Sequence, residues 1–316
     1  MRYLITGSAG FIGTNLSKFL LELGEFVIGI DNYDSGTVEN TNMLLEKYTN
    51  FTFIEKDICD ITSDTFEKID VVINLACPAS PPFYQSNPIH TTETCIIGVL
   101  NMLRLAQRHN AIFVQSSTSE VYGDPKETPQ VETYRGNVNT VGIRSCYDEG
   151  KRCAESIIMD FHRIYGLKVK IMRIFNTYGP YMRVDDGRVI SNFINQALTG
   201  KDITVYGDGS QTRSYQYVDD LIYAINKLVK TPDEVTGPVN IGNPGEITVL
   251  ETAERIKDLM NYDGKIVFKK LPSDDPMRRM PDITLAKKLL DWEPKVSVDE
   301  GFRKTIEYFK NKFDGK

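Results

Sequence analysis

The stretch "GSAGFIG" (residues 7–13) spaces Gly7, Gly10 and Gly13 three residues apart, directly after the apolar run "YLIT" (3–6) and before a helical pattern. Between a strand and a helix, the first glycine permits a tight turn, the second lets the backbone approach a pyrophosphate, and the third lets the two elements pack closely. The phosphates of a dinucleotide would bind at the helix N-terminus, where free N–H groups favour negative charge. The alternative is a plain turn with three glycines, and the flanking strand and helix argue against it.

The end of the next apolar run indicates which dinucleotide binds. Asp31, in "GIDNY", follows Gly13 at about the distance at which an acidic residue accepts hydrogen bonds from both ribose hydroxyls. Because a carboxylate there repels a 2′-phosphate, the sequence favours NAD over NADP. The residues that we predict to bind NAD are Gly7, Gly10, Phe11, Ile12, Gly13, Asp31, Asn32, Ser35, Gly36, Asp57, Ile58, Leu75, Ala76, Ser117, Tyr147 and Lys151.

Short apolar runs alternate with amphipathic stretches through the first half of the chain. The runs are 3–6, 26–30, 51–54, 71–76, 111–117 and 169–174, and the helical patterns include 11–23, 89–109 and 147–165. This alternation predicts an α/β fold, a Rossmann-type doubly wound parallel sheet covered on both faces. After residue 176 the segments shorten and turn residues increase, which indicates a smaller α+β lobe.

The predicted domain organisation follows from that change of pattern. We expect an NAD-binding domain over residues 1–175, with 213–242 returning to it, and a mainly substrate-binding lobe over 176–316.

Composition excludes several classes of protein. The formal net charge of −6 argues against a nucleic-acid partner, which usually selects a basic surface. Five cysteines without a CxxC pair, and only three histidines, predict no metal site. An odd number of thiols fits a reducing compartment, so we expect a cytoplasmic protein. No apolar run of membrane-spanning length is present, and we expect no membrane partner.

The pair Tyr147 and Lys151, in "YDEGK" (147–151), lies one turn apart on a predicted helix. A neighbouring ammonium and a positively charged nicotinamide ring would both lower the pKa of the phenol, so that it could remove a hydroxyl proton while a hydride leaves the same carbon. An ordinary solvated helix face is the alternative for this spacing alone. The stretch "SSTSEVYG" (116–123) ends the fifth run and would bring further polar side chains to the carboxyl edge of the sheet. These side chains are Ser117, Thr118, Ser119 and Glu120.

Longer motifs give a more specific signal than the glycine turn. They are "ACPASPP" (76–82), "STSEVYGDP" (117–125), "CYDEGKR" (146–152), "RIFNTYGP" (173–180), "DGRVISNFI" (186–194), "TVYGDGSQTRSYQYV" (204–218), "GNPGEIT" (242–248) and "DDPMRRMPDI" (274–283). Together they resemble the extended short-chain dehydrogenase/reductase family, the NAD-dependent epimerases and dehydratases that modify nucleotide sugars. Within that family they are most similar to the branch that decarboxylates UDP-glucuronate.

The resemblance implies a role for each catalytic position. Tyr147 is the base for the 4-hydroxyl of the sugar, and Lys151 holds the nicotinamide ribose. Thr118 and Ser119 orient the sugar, and Glu120 is an additional acid/base group.

The resemblance and a cluster of arginines together indicate the substrate site. Asn176 and Arg213 would hold the diphosphate, Val205 and Tyr206 the nucleobase, and Arg279 the ribose–phosphate or sugar end. Guanidinium groups suit a dianionic ligand, and the candidates are Arg183, Arg188, Arg213, Arg278 and Arg279. The complete set of residues that we predict to bind substrate is Asn176, Arg188, Val189, Val205, Tyr206, Gln211, Arg213 and Arg279.

The implied reaction oxidises the sugar at C4, releases carbon dioxide from C5 and then reduces the ketone, so that NAD is regenerated. Several positions depart from the decarboxylase pattern: Phe83, Cys95, Tyr181, and the segment "TVEN" (37–40), which lacks the usual basic pair. A 4-dehydrogenase or 4-epimerase would share the first step. A 4,6-dehydratase usually carries Asp-Glu where Ser119-Glu120 stands. A protein that binds NAD without turnover would typically have lost Tyr147 or Lys151.

The apolar helices 89–109 and 147–165 predict a homodimer, because related proteins pair such helices across a four-helix bundle.

Overall fold

The computed structural model describes residues 1–62, 66–270 and 278–315. Its strands are short and mostly buried, as the apolar runs predict. In chain order the strands are β1 (Arg2–Thr6), β2 (Phe26–Asp31), β3 (Phe51–Glu55), β4 (Val71–Asn74), β5 (Ile112–Thr118), β6 (Val169–Ile174), β7 (Thr177–Tyr178), β8 (Ile203–Tyr206), β9 (Thr212–Ser214), β10 (Gln216–Tyr217), β11 (Val239–Ile241), β12 (Glu246–Thr248) and β13 (Ile266–Lys269).

Helices follow most of these strands. They are α1 (Phe11–Glu22), α2 (Val38–Lys47), α3 (Pro81–Ser86), α4 (Pro88–Glu93), α5 (Val99–His109), α6 (Ser145–Tyr165), α7 (Val189–Leu198), α8 (Val218–Val229), α9 (Val249–Leu259), α10 (Thr284–Leu290) and α11 (Val298–Phe313). The predicted helix 89–109 is one rod with a wider π-helical turn, Thr94–Gly98, between α4 and α5. Within the described ranges, no helix combines the length and apolar character that a membrane crossing requires.

Seven strands form the central sheet in the order β11-β6-β5-β4-β1-β2-β3, and every neighbouring pair is parallel. The predicted α/β class with a doubly wound parallel sheet is confirmed. Parallel strands joined by helices place their carboxyl ends on one edge, where ligands bind in open α/β sheets. The glycine turn after β1, the acid that ends β2 and the polar run that ends β5 therefore share one edge.

The core lies on both faces of this sheet, because successive residues of a strand point to opposite faces. In β1, Tyr3 and Ile5 belong to one apolar cluster and Leu4 to the other. In β4, Val71 and Val72 divide in the same way. The cluster that contains Tyr3 continues without a break to Phe302 in α11, so the C-terminal segments share a core with the sheet.

The part of the chain after β6 contains three two-stranded pairings: β10 with β7, β12 with β9, and β13 with β8. The seventh strand of the main sheet, β11, lies within the segment 213–242 and pairs with β6. In the same segment α8 packs against α1.

Candidate active site

The glycine turn after β1 is packed so closely that side chains could not replace two of its glycines. Gly7 has φ +68°, and a Cβ there would lie 2.9 Å from the carbonyl carbon of Leu75. A Cβ on Gly13 would lie 2.0 Å from the carbonyl oxygen of Gly7. The start of α1 is therefore pressed against β1, with its first N–H groups facing the cleft above the sheet. This arrangement fits a pyrophosphate.

Asp31 ends β2 at the same edge and is buried. Its carboxylate accepts hydrogen bonds from the N–H groups of Tyr33, at 2.8 Å, and Ala9, at 3.0 Å. Burial raises the pKa of Asp31, and these two amide donors lower it in part. A Cβ on Gly36 would lie 2.8 Å from the Asp31 carboxylate, so only a small residue leaves this acid accessible to a ribose.

A cleft with an empty volume of about 1490 Å³ runs along this edge of the sheet. Of the residues that we predicted to bind NAD, the structure brings all but Gly36 to its walls, and Gly36 lies behind Asp31. The walls also include the predicted residues Thr118, Ser119, Glu120, Asn176 and Arg188. The glycine turn and the buried acid together fit a dinucleotide.

Tyr147 and Lys151 lie in the first turns of α6, on the face that covers the end of β5. Both are buried, and the Lys151 Nζ lies 5.7 Å from the centre of the Tyr147 ring. The ammonium donates a hydrogen bond to the Ser116 carbonyl oxygen at 3.0 Å. The ring of Tyr84, from α3, stacks on Tyr147 with centroids 5.2 Å apart and planes 6° from parallel. The stacked Tyr84 ring and the nearby Lys151 ammonium therefore hold the phenol in place.

The protein's own surroundings of Tyr147 act against the expected lowering of its pKa. Burial raises this pKa well above its ordinary value, and the charge of Glu120 adds to the increase, while a side-chain hydrogen bond with Thr118 lowers it in part. The spacing in the sequence indicated the neighbouring ammonium but not the desolvation, which has the larger effect here.

Glu120 lies between two guanidinium groups in the turn that follows β5. Arg144 Nη2 donates to Glu120 Oε2 at 2.5 Å, and Arg279 forms an ion pair with the other carboxylate oxygen. Burial would raise the pKa of Glu120, but the charges of Arg279 and Arg144 lower it to about 2. Glu120 is therefore a stable carboxylate near neutral pH and cannot serve as a resting proton donor there.

Arg279 is only 3% exposed, although it lies far from this turn in the sequence. It donates hydrogen bonds to Ser119 Oγ and to the Gly123 carbonyl oxygen, both at 3.2 Å. Its Nε has no hydrogen-bond partner among the described residues. A buried N–H group without an acceptor is costly, so this donor is available for a ligand. Residues 274–277 of the motif that contains Arg279 lie outside the described residues.

The other predicted arginines differ in their surroundings. Arg188 lines the cleft, with its guanidinium 5.7 Å from the Phe11 ring, and pairs with Asp186. Arg183 also lines the cleft and pairs with Asp185. Arg278 pairs with Glu246 at an exposed position.

Four predicted substrate residues lie outside the cleft walls, in and beside β8 and β9. Val205 is buried, Tyr206 is exposed, and Gln211 donates to the Tyr206 carbonyl oxygen at 2.7 Å. Arg213 is buried and donates to the Thr212 carbonyl oxygen at 2.8 Å. Two more also lie outside these walls: Val189 begins α7 directly after Arg188 and is partly exposed, and Arg279 lines a second cavity next to Glu120.

Sequence reasoning missed three residues that the structure places around Glu120: Tyr84, Arg144 and Asp148. Tyr84 follows the double proline that begins α3, and Arg144 and Asp148 flank Tyr147 in the chain. The proximity of Arg144 to a known motif was the available signal. No cluster of three or more metal-ligating side chains occurs in the part of the chain that the structure describes.

Comparison with known proteins defines the class. The family model described as GDP-mannose 4,6 dehydratase matches residues 4–305. The chain belongs to this family, a group of extended short-chain dehydrogenase/reductase enzymes.

Individual relatives show which members of the family this chain resembles. The chain is 49% identical over 315 residues to UDP-glucuronic acid decarboxylase 4 of Arabidopsis thaliana, covering 100% of this chain and 70% of that one. Among solved structures it is similar to UDP-glucose 4-epimerase of Thermotoga maritima with UDP-glucose (33% identity, TM-score 0.91, 99% and 100% coverage). It is also similar to UDP-glucuronic acid 4-epimerase of Bacillus cereus in complex with UDP-glucuronic acid and NAD (28% identity, TM-score 0.89, 98% and 99% coverage).

Proposed function

We propose that this enzyme is an NAD-dependent UDP-glucuronate decarboxylase that forms UDP-xylose and carbon dioxide. The observation that carries the proposal is the buried Arg279, whose unpaired Nε lies in a cluster with Ser119 and Glu120 at the carboxyl edge of the sheet. A guanidinium beside the reacting sugar suits a substrate that carries a carboxylate. The names of the curated relatives support the same substrate.

The glycine turn would hold the pyrophosphate of NAD, and Asp31 would accept the adenosine ribose hydroxyls. When bound, NAD supplies a hydride acceptor at C4 of the sugar and later returns the hydride. Lys151, fixed by the Ser116 carbonyl group, would bind the second ribose.

Tyr147 would take the proton of the 4-hydroxyl as the C4 ketone forms. Because burial raises the pKa of the phenol, Tyr147 must first release its own proton to solvent and regains it from solvent after the cycle. The positive charge of Lys151 and the hydrogen bond with Thr118 both favour that loss. On the return step the same phenol gives a proton back to the oxygen at C4.

The C4 ketone makes decarboxylation possible, because the carboxylate at C5 is then β to a carbonyl group. The C5–carboxylate bond breaks, carbon dioxide leaves, and the electron pair remains as an enolate that a proton must quench. The Arg279 guanidinium would orient the carboxylate out of the plane of the ketone. Glu120, held as an anion, would disfavour a second carboxylate nearby and so promote its departure.

A 4-epimerase is the second candidate, because solved structures similar to this chain include two 4-epimerases that bind UDP-sugars. Both reactions begin with the same oxidation at C4. They differ in product, since an epimerase would return UDP-galacturonate with its carboxylate retained.

Product analysis after incubation with NAD and UDP-glucuronate distinguishes these functions. We expect UDP-xylose and carbon dioxide, and UDP-galacturonate as the product would replace our proposal with the epimerase. Tyr147→Phe should abolish turnover and keep NAD binding, whereas Tyr165→Phe, at an exposed position of the same helix, should behave like the wild type. Undiminished turnover by Tyr147→Phe would remove the assignment of the base.

We also propose a division of labour within the chain. Residues 1–175 together with 213–242 would bind NAD, and the rest of 176–316 would bind the nucleotide sugar. The pairing of β11 with β6 supports the return of 213–242 to the sheet. Arg213 and Asn176 would hold the diphosphate, with Val205 and Tyr206 near the base.

A homodimer and a cytoplasmic location complete the proposal. Ile89 in α4 and Ile164 in α6 are each 71% exposed, and Ile97 between α4 and α5 is 43% exposed. Large exposed apolar residues on neighbouring helices suit a helical interface with a second copy. Light scattering at micromolar concentration should give the mass of two chains, and a monomer mass would contradict the dimer.

The free cysteines suit a reducing compartment, which supports the proposed cytoplasmic location.

A further inference from the structure

A second cavity adjoins the NAD cleft at Glu120. Glu120 lines both spaces. The walls of the second cavity also include Arg279, Arg144 and Asp148, with residues 137–139 and Gly142 opposite them. The two spaces therefore meet at Glu120, next to Ser119, which lines the NAD cleft.

Asp148 presents an unsatisfied carboxyl oxygen in this region. Asp148 is 6% exposed, and its Oδ1 atom has no hydrogen-bond partner among the described residues. Oδ2 lies 3.9 Å from Nε of Arg144, which is itself bound to Glu120. The hydroxyl group of Tyr84, whose ring stacks on Tyr147, is also buried, and the described ranges contain no hydrogen-bond partner for it.

Neighbouring charges keep Asp148 partly protonated near neutral pH. Burial raises its pKa, the charge of Glu120 raises it further, and Arg144 and Arg279 lower it, with a result of about 7. Glu149 adds a smaller increase. Tyr84 also faces this cluster, and burial raises its pKa.

Decarboxylation requires a proton that the other steps of the reaction do not supply. Replacing a carboxylate by hydrogen consumes one proton in each turnover, in addition to the proton that Tyr147 exchanges with the oxygen at C4. Glu120 is ionised at neutral pH and holds no proton to give. The proton must therefore enter from solvent to a buried enolate.

We propose that Asp148 relays this proton from solvent, through the second cavity, to C5 of the enolate. The C5–H bond forms with the electron pair that the departing carboxylate left, Asp148 becomes a carboxylate, and a solvent proton restores it. This inference rests on the proposed decarboxylase function. Asp148 is a relay residue that does not touch the sugar, and a water molecule in the second cavity would carry its proton to C5.

The test compares Asp148→Asn with the wild type and with Glu149→Gln, a neighbour that pairs with Arg152 instead. At saturating UDP-glucuronate we expect Asp148→Asn to lower kcat by about tenfold to a hundredfold with little change in KM. Reduced cofactor and the enolate that precedes the UDP-4-keto-pentose should accumulate on the enzyme, because carbon dioxide still leaves but C5 is protonated slowly. Glu149→Gln should match the wild type.

The dependence of kcat on pH provides a readout that a merely structural role would not change. Wild-type kcat should fall above roughly pH 7, and Asp148→Asn should lack that descending limb. Wild-type kcat that is constant through this range would overturn the relay even if Asp148→Asn did not fold. A folded Asp148→Asn with wild-type kcat and pH profile would overturn it while leaving the decarboxylase intact. Absence of carbon dioxide from the wild type would instead remove the proposed function.

A second and independent observation concerns two thiols. Cys77, in the loop after β4, lines the NAD cleft, and Cys95, in the π-helical turn, is buried directly behind it. Their sulfur atoms lie 3.4 Å apart, and neither forms a disulfide. The contact between the two thiols raises the pKa of Cys77 well above its ordinary value, with burial adding to the increase, and lowers the pKa of Cys95. A Cβ on Gly150 would lie 2.9 Å from the Cβ of Cys95, so the catalytic turn of α6 packs on this pair.

We infer that Cys77 and Cys95 are a site of reversible oxidation by a low-molecular-weight disulfide. Two S–H bonds break and one S–S bond forms, and the two protons and two electrons reduce the added disulfide to two thiols. An S–S bond of about 2.0 Å requires the sulfurs to approach by more than an ångström. That movement draws the Cys77 loop away from the cleft and should weaken NAD binding.

Treatment with oxidised glutathione, followed by peptide mapping, tests this site. We expect a Cys77–Cys95 disulfide, a several-fold loss of activity and recovery with dithiothreitol. Bound NAD should slow the reaction. Cys95→Ser should resist inactivation, whereas Cys153→Ser, which removes an exposed thiol, should remain sensitive. A map of the oxidised wild type without the Cys77–Cys95 bond, or equal inactivation of Cys95→Ser, would overturn the inference.

Discussion

Replacing Glu120 by glutamine should strongly destabilise the protein as well as impair its chemistry. The carboxylate is the shared partner of Arg144 and Arg279, and all three side chains are largely buried. Removing one member of a buried ionic cluster typically costs about 3–5 kcal/mol, because the remaining charges stay buried without compensation. The lowered pKa of Glu120 gives a similar value for the loss of stability. A decrease from 4.5 to about 2 corresponds to about 3 kcal/mol of folding free energy at neutral pH.

The direction of the pH dependence follows from the lowered pKa. The contribution of Glu120 is present above the unfolded-state pKa and is lost as the pH falls from about 4.5 towards 2. Urea unfolding at pH 7 should therefore show Glu120→Gln less stable by about 3 kcal/mol, and the difference should shrink in acid. Glu254→Gln, an exposed control in α9, should change stability by less than about 0.5 kcal/mol. Equal stability of Glu120→Gln and the wild type at pH 7 would refute this reasoning.

Three further predictions concern the cofactor turn and the core. Asp31→Ser should weaken NAD binding by about tenfold or more, as measured by fluorescence titration, because a charged acceptor for the ribose is lost; unchanged affinity would contradict the role of Asp31. Gly13→Ala should prevent NAD binding, because its Cβ would lie 2.0 Å from the Gly7 carbonyl oxygen, and calorimetry that detects normal binding would contradict this packing. Lys170→Met should lower the free energy of unfolding by about 3 kcal/mol, because the buried Lys170 ammonium donates to three carbonyl groups within residues 231–235. A denaturation midpoint of Lys170→Met equal to that of the wild type would contradict the predicted loss of stability.

The fold was predictable where local pattern determines it. The first six strands of the sheet are continuous apolar runs, and α6 has a long helical pattern, so each is present where the sequence indicates. The seventh strand, β11, has three residues and acquires its place by pairing with β6. The π-helical turn at Thr94–Gly98 leaves no signal in the apolar periodicity.

The candidate site was predictable to the extent that its residues are close in sequence. Gly7, Asp31 and Tyr147 belong to short motifs at strand ends or helix starts, and the parallel sheet brings them together. The environment of Tyr147 could not be predicted, since its burial arises from Tyr84 and from segments distant in the chain. The contact of Arg279 with Glu120 joins residues that no local spacing connects.

One measurement tests the central claim most directly: purified protein with NAD and UDP-glucuronate labelled in the carboxyl carbon. We predict labelled carbon dioxide and UDP-xylose in equal amounts, with no net reduction of NAD. Retention of the label in a nucleotide sugar, or no turnover at all, would contradict the account.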